Sequence, residues 1–134
     1  MSKSKYDTLV RAAREARSFS QARYSQFKVG AALLTADGQI ISGCNIESSS
    51  YSLTICAERV ALTKALSEGI TEFKAIAIAA KDGSFCTPCG ACRQLLHDYA
   101  PHIEVILTNG HQKKIIPLTK LLPLAFDDSQ LGVK

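Results

Sequence analysis

Phe73-Lys74-Ala75-Ile76-Ala77-Ile78-Ala79-Ala80 decides the architecture. From Ala75 onward, odd and even positions are both apolar, so a strand here has neither face in water. Such a strand belongs to a sheet with helices above and below it. Helical patterns do flank the run. Upstream, Ile55 to Ser67 reads as a helix stopped by Gly69, and downstream a helix opens near Cys89 and ends before Pro101. Further on, Lys81-Asp82-Gly83-Ser84 is a turn, Ile103 to Thr108 a strand and Asn109-Gly110 a turn. Lys114 to Ile116 is a short strand, and Leu118 to Leu122 a brief last helix. Toward the N-terminus, Phe27 to Thr35 and Gln39 to Ile46 form a hairpin about Asp37-Gly38. Ahead of it, Tyr6 to Gln21 places Leu9, Val10, Ala13 and Ala16 at helical spacing. The order α-β-β-α-β-α-β-β predicts a single three-layer α/β/α domain over residues 1–134 with a mixed five-stranded sheet, its segments 1–7 and 127–134 being loose or used in assembly.

Composition agrees. The 134 residues are 46% hydrophobic and 21% charged, which excludes disorder and low complexity. The longest apolar runs are about six residues against the ~20 needed to cross a bilayer, so no membrane partner is expected. Met1 to Asp7 is polar, without the apolar core of a signal peptide, and a cytoplasmic location is expected. The net charge of +4 is mild and does not call for nucleic acid. The arginines of the first helix lack interleaved aromatics and read as a solvated face. Five cysteines, an odd number with no export signal, favour metal binding or catalysis over disulfides.

Those cysteines that carry a pattern fall in two short segments, Thr54-Ile55-Cys56-Ala57-Glu58-Arg59 and Thr87-Pro88-Cys89-Gly90-Ala91-Cys92-Arg93-Gln94, each at the start of an expected helix. Cys89 and Cys92, three apart on a first helical turn, can converge on one ion. Helix N-termini favour thiolate, the form that binds zinc. Cys56 is a plausible third ligand, leaving the open fourth position of a catalytic site. An acidified water there has Glu58 within reach as general acid and base. Three thiolates leave the site with one net negative charge, and Arg59, three residues after Cys56, is positioned to donate to the sulfurs and restore acidity to the metal. Alone, C-x-x-C also describes a redox pair. A fourth thiolate from Cys44 or Cys86 would instead make a structural site or a zinc-stabilised binding module; both read more simply as small buried hydrophobes. His97, His102 and His111 match no ligand position and are expected on the surface or in loops.

C-A-E-R followed by P-C-G-A-C-R-Q resembles the zinc-dependent cytidine deaminases, specifically the small homotetrameric branch with three cysteine ligands. The wider zinc deaminase signature, H-x-E followed by P-C-x-x-C, has His where this chain has Cys56. The likeness runs from about Thr8 to Phe126, with Thr87 where the family usually has Ser. It implies one Zn2+ per subunit and deamination of free cytidine and 2′-deoxycytidine, a pyrimidine-salvage reaction. Deamination of a related aminopyrimidine, such as a nucleoside antibiotic, is the alternative. By resemblance, Phe27 in Tyr24-Ser25-Gln26-Phe27-Lys28-Val29-Gly30 stacks near the pyrimidine, and Asn45 and Glu47 hold the ribose hydroxyls. Positions i and i+2 of a strand share a face, which suits that pair. The Ala57 main chain is implied to accept from the exocyclic amine. Phe126 is implied to reach a neighbouring subunit's site, and Tyr51 to lie near the subunit junctions.

Overall fold

A computed structural model describes residues 3–132. Strands β1 (Gly30–Thr35), β2 (Ile40–Cys44), β3 (Phe73–Ala79), β4 (Glu104–Thr108) and β5 (Lys113–Pro117) form one mixed five-stranded sheet in the order β2-β1-β3-β4-β5. The central β3 runs antiparallel to β1 and parallel to β4, while β1–β2 and β4–β5 are antiparallel. Successive β3 side chains alternate between the faces. Ala75, Ala77 and Ala79 meet Leu9 and Ala13 of α1 (Lys3–Arg17). Ile76 and Ile78 meet Leu62 of α2 (Ala57–Ser67) and Leu96 of α3 (Gly90–Tyr99). Burying each of these large aliphatic side chains contributes about 1.5–3 kcal/mol. The short α4 (Leu118–Leu121) closes the α2–α3 side with buried Leu118.

Two glycines bring helices onto the sheet. A Cβ on Gly30 would stand 2.0 Å from the Ala13 carbonyl oxygen of α1. One on Gly43 would stand 2.7 Å from the Ala61 nitrogen and 2.8 Å from the Ala57 carbonyl oxygen of α2. The start of α2, which carries Cys56 and Glu58, is therefore seated directly on β2.

Element ends depart from the sequence reading for local reasons. α1 begins at Lys3, so residues 3–7, expected in a loose segment, form its first turns; it ends at Arg17, after which the chain tightens into successive turns at Ser18, Phe19 and Ser20. β1 begins at Gly30 and not Phe27, because Gln26 adopts a left-handed backbone (φ 62°) and a side chain rather than a neighbouring strand holds the Phe27 carbonyl. α2 begins at Ala57, since Ile55 is engaged in a bridge with Ile46. The polar stretch holds a 3-10 turn, Tyr51–Leu53. Asp127 caps a second, Asp128–Leu131, in the other segment expected to be loose. The remainder of those two segments, Met1, Ser2, Val133 and Lys134, lies outside the described residues. Among the described residues, no helix is long and apolar enough to cross a membrane.

Candidate metal centre and active site

The two cysteine segments meet because α2 and α3 rise side by side from the same end of the sheet. Cys56 is the N-cap of α2 and Cys89 the N-cap of α3, and neither cap makes a side-chain hydrogen bond to its helix. The first-turn N–H groups are thus not paired by their caps, and a helix start with such free donors favours negative charge near it. Cys92 lies one turn further along α3 and is fully buried. Its Sγ is 3.4 Å from that of Cys89, which is 3.7 Å from that of Cys56. All three sulfurs lie within 4.8 Å of one another. Tetrahedral zinc with Zn–S bonds near 2.3 Å holds its sulfurs roughly 3.8 Å apart, so the donor set fits that ion. Cys44 and Cys86, expected from sequence to be small buried hydrophobes, stand outside the cluster and are half-buried.

The charge around the cluster is arranged for thiolates. Arg59 Nη2 approaches Cys56 Sγ at 3.6 Å and the Thr54 carbonyl at 3.5 Å. Its buried Nε–H has no partner among the described residues. An unpaired buried donor is costly in a neutral setting and is offset beside anionic sulfur. A hydrogen bond from the Cys92 thiol, with help from Arg59, pulls Cys56 down to about 5 against the opposing effect of burial. Cys92 is pushed far up, by that same contact first and then by burial. One thiol of the trio thus ionises at the expense of its neighbour; a cation's charge removes the conflict.

Glu58 is 4% exposed, on the first turn of α2. Burial, the largest effect, pushes its carboxyl up to about 7, and negative charge on Cys56 adds to it. Ala57 calls for a correction. Its carbonyl, expected to accept from a substrate amine, lies in the first turn of α2 against Gly43, one residue after the Cys56 carbonyl that opens the helical ladder. The group left without a partner in the helix is its N–H, so this position offers a donor.

Phe27, Asn45 and Glu47 are brought together in a second network. Asn45 is 7% exposed. Its Oδ1 accepts from Val29 N at 3.0 Å and from the Ser20 hydroxyl, and its Nδ2 donates to the Phe27 carbonyl at 2.8 Å. Glu47 Oε1 accepts from Tyr24 N at 3.0 Å and Ser25 N at 2.9 Å, and Oε2 accepts from the Ser25 hydroxyl. These bonds, the Ser25 hydroxyl first, hold the Glu47 carboxyl below its ordinary value. Phe27 is 47% exposed. Ile46, between Asn45 and Glu47, exchanges backbone hydrogen bonds of 2.9 and 3.0 Å with Ile55, the residue before Cys56. The two networks are therefore stitched edge to edge.

Phe126 stays apart. It lines a recess with Gln94, His97, Tyr99 and Leu131, and none of the three clustered cysteines lines that recess. Its carbonyl accepts from Gln94 Nε2 at 2.9 Å. His111 is exposed and His102 lies in the turn before β4; His97 is half-buried on α3, 3.7 Å from Asp127. Sequence reasoning missed Ser20, Ser25 and Arg93. Arg93 donates to the Pro88 carbonyl at 2.7 Å and the Leu121 carbonyl at 2.6 Å, fastening the loop before Cys89 to α4. The C-R-Q of the motif contains Arg93, but nothing in the sequence names the carbonyls it binds.

Comparison with known proteins gives the same picture. A family profile described as the cytidine and deoxycytidylate deaminase zinc-binding region matches residues 3–108. The chain is 44% identical over 129 residues to a cytidine deaminase of Sporosarcina psychrophila, covering 94% of each. It is 46% identical over 120 residues to one from Halalkalibacterium halodurans, covering 88% of this chain and 91% of the other. A crystal structure of cytidine deaminase from Burkholderia pseudomallei superposes with a TM-score of 0.87 at 45% identity, covering 94% of this chain and all of that one.

Proposed function

This chain belongs to the cytidine and deoxycytidylate deaminase family, and on that footing we propose that it hydrolyses free cytidine and 2′-deoxycytidine to the corresponding uridines and ammonia. The observation that carries the reading is the buried Glu58 carboxyl, two residues after one of three converging thiols. Zinc held by Cys56, Cys89 and Cys92 supplies a Lewis acid that acidifies water. Glu58 takes a proton from the attacking water and returns it to the ring nitrogen beside the carbon under attack. The water oxygen bonds to that carbon, the carbon–amine bond breaks, and the nitrogen leaves as ammonia with a second proton. The Ala57 N–H, which the helix leaves unpaired, suits the carbonyl oxygen of the pyrimidine. Arg59 keeps the sulfurs from cancelling the metal's charge.

The sugar network supports a nucleoside. A carboxylate has about four acceptor positions and the protein fills all but one of those on Glu47. Asn45 keeps one N–H without a protein partner among the described residues. One acceptor beside one donor matches a single hydroxyl, so ribose and deoxyribose are both accommodated. We further assign the chain to a homotetramer, acting in cytoplasmic pyrimidine salvage, with its active sites near subunit interfaces. Exposed Phe19, Tyr51 and Leu53 support assembly. The separation of Phe126 from its own cysteines supports service to a neighbouring site.

The test is to follow loss of cytidine absorbance with the zinc-loaded protein. Turnover that stops on chelation, returns with zinc and falls at least ~100-fold in Glu58→Gln supports the reading. Firmly bound zinc without turnover overturns it. The mass in solution tests the tetramer.

A further inference from the structure

Ser25 is the point at which two parts of the sugar and base network are tied together. Its hydroxyl has one proton to give and gives it to Glu47 Oε2. The same oxygen accepts the Phe27 N–H at 3.0 Å. Its own N–H goes to Glu47 Oε1 at 2.9 Å. Ser25 therefore grips both carboxylate oxygens and also the backbone of the aromatic residue two positions on. The Phe27 carbonyl is held in turn by Asn45 Nδ2 at 2.8 Å.

The backbone is bent to allow this. Gln26, between Ser25 and Phe27, sits at φ 62°, in the left-handed region that a residue with a Cβ adopts at a cost. A reversal there folds Phe27 N–H back toward Ser25 Oγ. Strain of this kind persists where surrounding contacts fix it, and Ser25 supplies them.

We propose that Ser25 is a specificity-determining positioning residue: its hydroxyl sets the Glu47 carboxylate and the Phe27 ring in one fixed relation, so that a nucleoside is read by sugar and base at once. This rests on the assignment of Glu47 and Phe27 to the nucleoside. Ser25 makes no hydrogen bond to the cysteines or to Glu58, and the bond-breaking steps do not pass through it. Its removal weakens substrate capture and leaves the chemistry.

The experiment compares Ser25→Ala and Ser25→Thr with the parent, using cytidine and 2′,3′-dideoxycytidine, with zinc content and melting temperature alongside. Losing a hydrogen bond to a charged group is expected to raise KM for cytidine about 10-fold or more. The expected kcat stays within about 3-fold and zinc content is unchanged. The preference for cytidine over the dideoxynucleoside shrinks, by less than the full loss on cytidine because the Phe27 contact is loosened for both, and Ser25→Thr, which keeps the hydroxyl, restores it. Equal losses on both nucleosides, a fall confined to kcat, no loss in Ser25→Ala, or failure of Ser25→Ala to fold overturns the proposal. Failure of the underlying reading shows differently: the parent itself then lacks cytidine turnover, or Glu47→Ala keeps the parent's preference for the sugar hydroxyls.

Discussion

Arg59 and Cys56, one helical turn apart, are joined by a contact of 3.6 Å between Nη2 and Sγ. The guanidinium reaches back over the N-terminus of α2 instead of out into solvent. It opposes the charge of three thiolates without taking a place on the metal. Arg59→Gln is therefore expected to weaken zinc retention or turnover by about 10–100-fold, as loss of a partner to a metal ligand usually does. Competition with a calibrated chelator and the kcat of the zinc-saturated variant measure the two effects separately. If neither moves, the arginine has no such role.

Metal stoichiometry distinguishes a three-thiolate site from a closed one. Cys56→Ala, Cys89→Ala and Cys92→Ala are each expected to drop zinc below one per chain and to abolish turnover. Cys44→Ala and Cys86→Ala are expected to keep the metal, because neither sulfur belongs to the cluster. Atomic absorption after dialysis reads the outcome. Zinc loss from Cys86→Ala would make the site structural rather than catalytic.

Gly43→Ala tests how the sheet aims the site. The added Cβ would meet backbone atoms of Ala57 and Ala61 at 2.8 and 2.7 Å. Backbone does not swing aside as a side chain does, so α2 must lift. Overpacking of this kind costs about 1–3 kcal/mol. The expected result is a lower denaturation midpoint together with lost activity, since Cys56 and Glu58 ride on the displaced end of α2. Unchanged activity would show that α2 is free to shift without harm.

A pH prediction comes from the opposite face of the sheet. Tyr6 on α1 donates its hydroxyl to Glu104 on β4. Burial first, and then Glu104, pushes the phenol from 10.0 up to about 12. The folded pKa lies above the unfolded one, so the contribution is complete below pH 10 and is lost as pH rises from there through about 12. Tyr6→Phe is expected to cost about 0.5–1.5 kcal/mol at neutral pH. The gap from the parent should close at high pH. Urea midpoints at about pH 8 and about pH 11.5, on either side of the ordinary phenol value, measure it, and a constant gap would refute the assignment.

Local spacing made much of this molecule legible. Ala75 to Ala80 announced a covered strand, but that α1 meets its alanines while α2 and α3 meet its isoleucines emerged only from the structure. Cys89 and Cys92 were readable because a helical turn joins them without help from the rest of the fold. Ser25 was not readable: its partner Glu47 lies 22 positions away, and the contact depends on a left-handed Gln26 that residue preferences disfavour. Asn45 looked like a free sugar ligand, yet most of its amide is taken up by Phe27, Val29 and Ser20. The Ala57 carbonyl misled for a simpler reason. A motif states which residue comes near a ligand, and only the helix start decides which of its backbone groups is available.

The separation of Cys56 from Cys89 along the chain has a consequence for assembly in time. Between them the chain must finish α2 and lay down β3 beside β1. Closing so long a loop and placing a central strand are late, non-local events in folding. Zinc can seize the C-x-x-C pair early, but the third thiol arrives only with the sheet in place. Full three-thiol capture of the metal is therefore expected only once β3 is in place, so that metal binding and completion of the sheet are coupled.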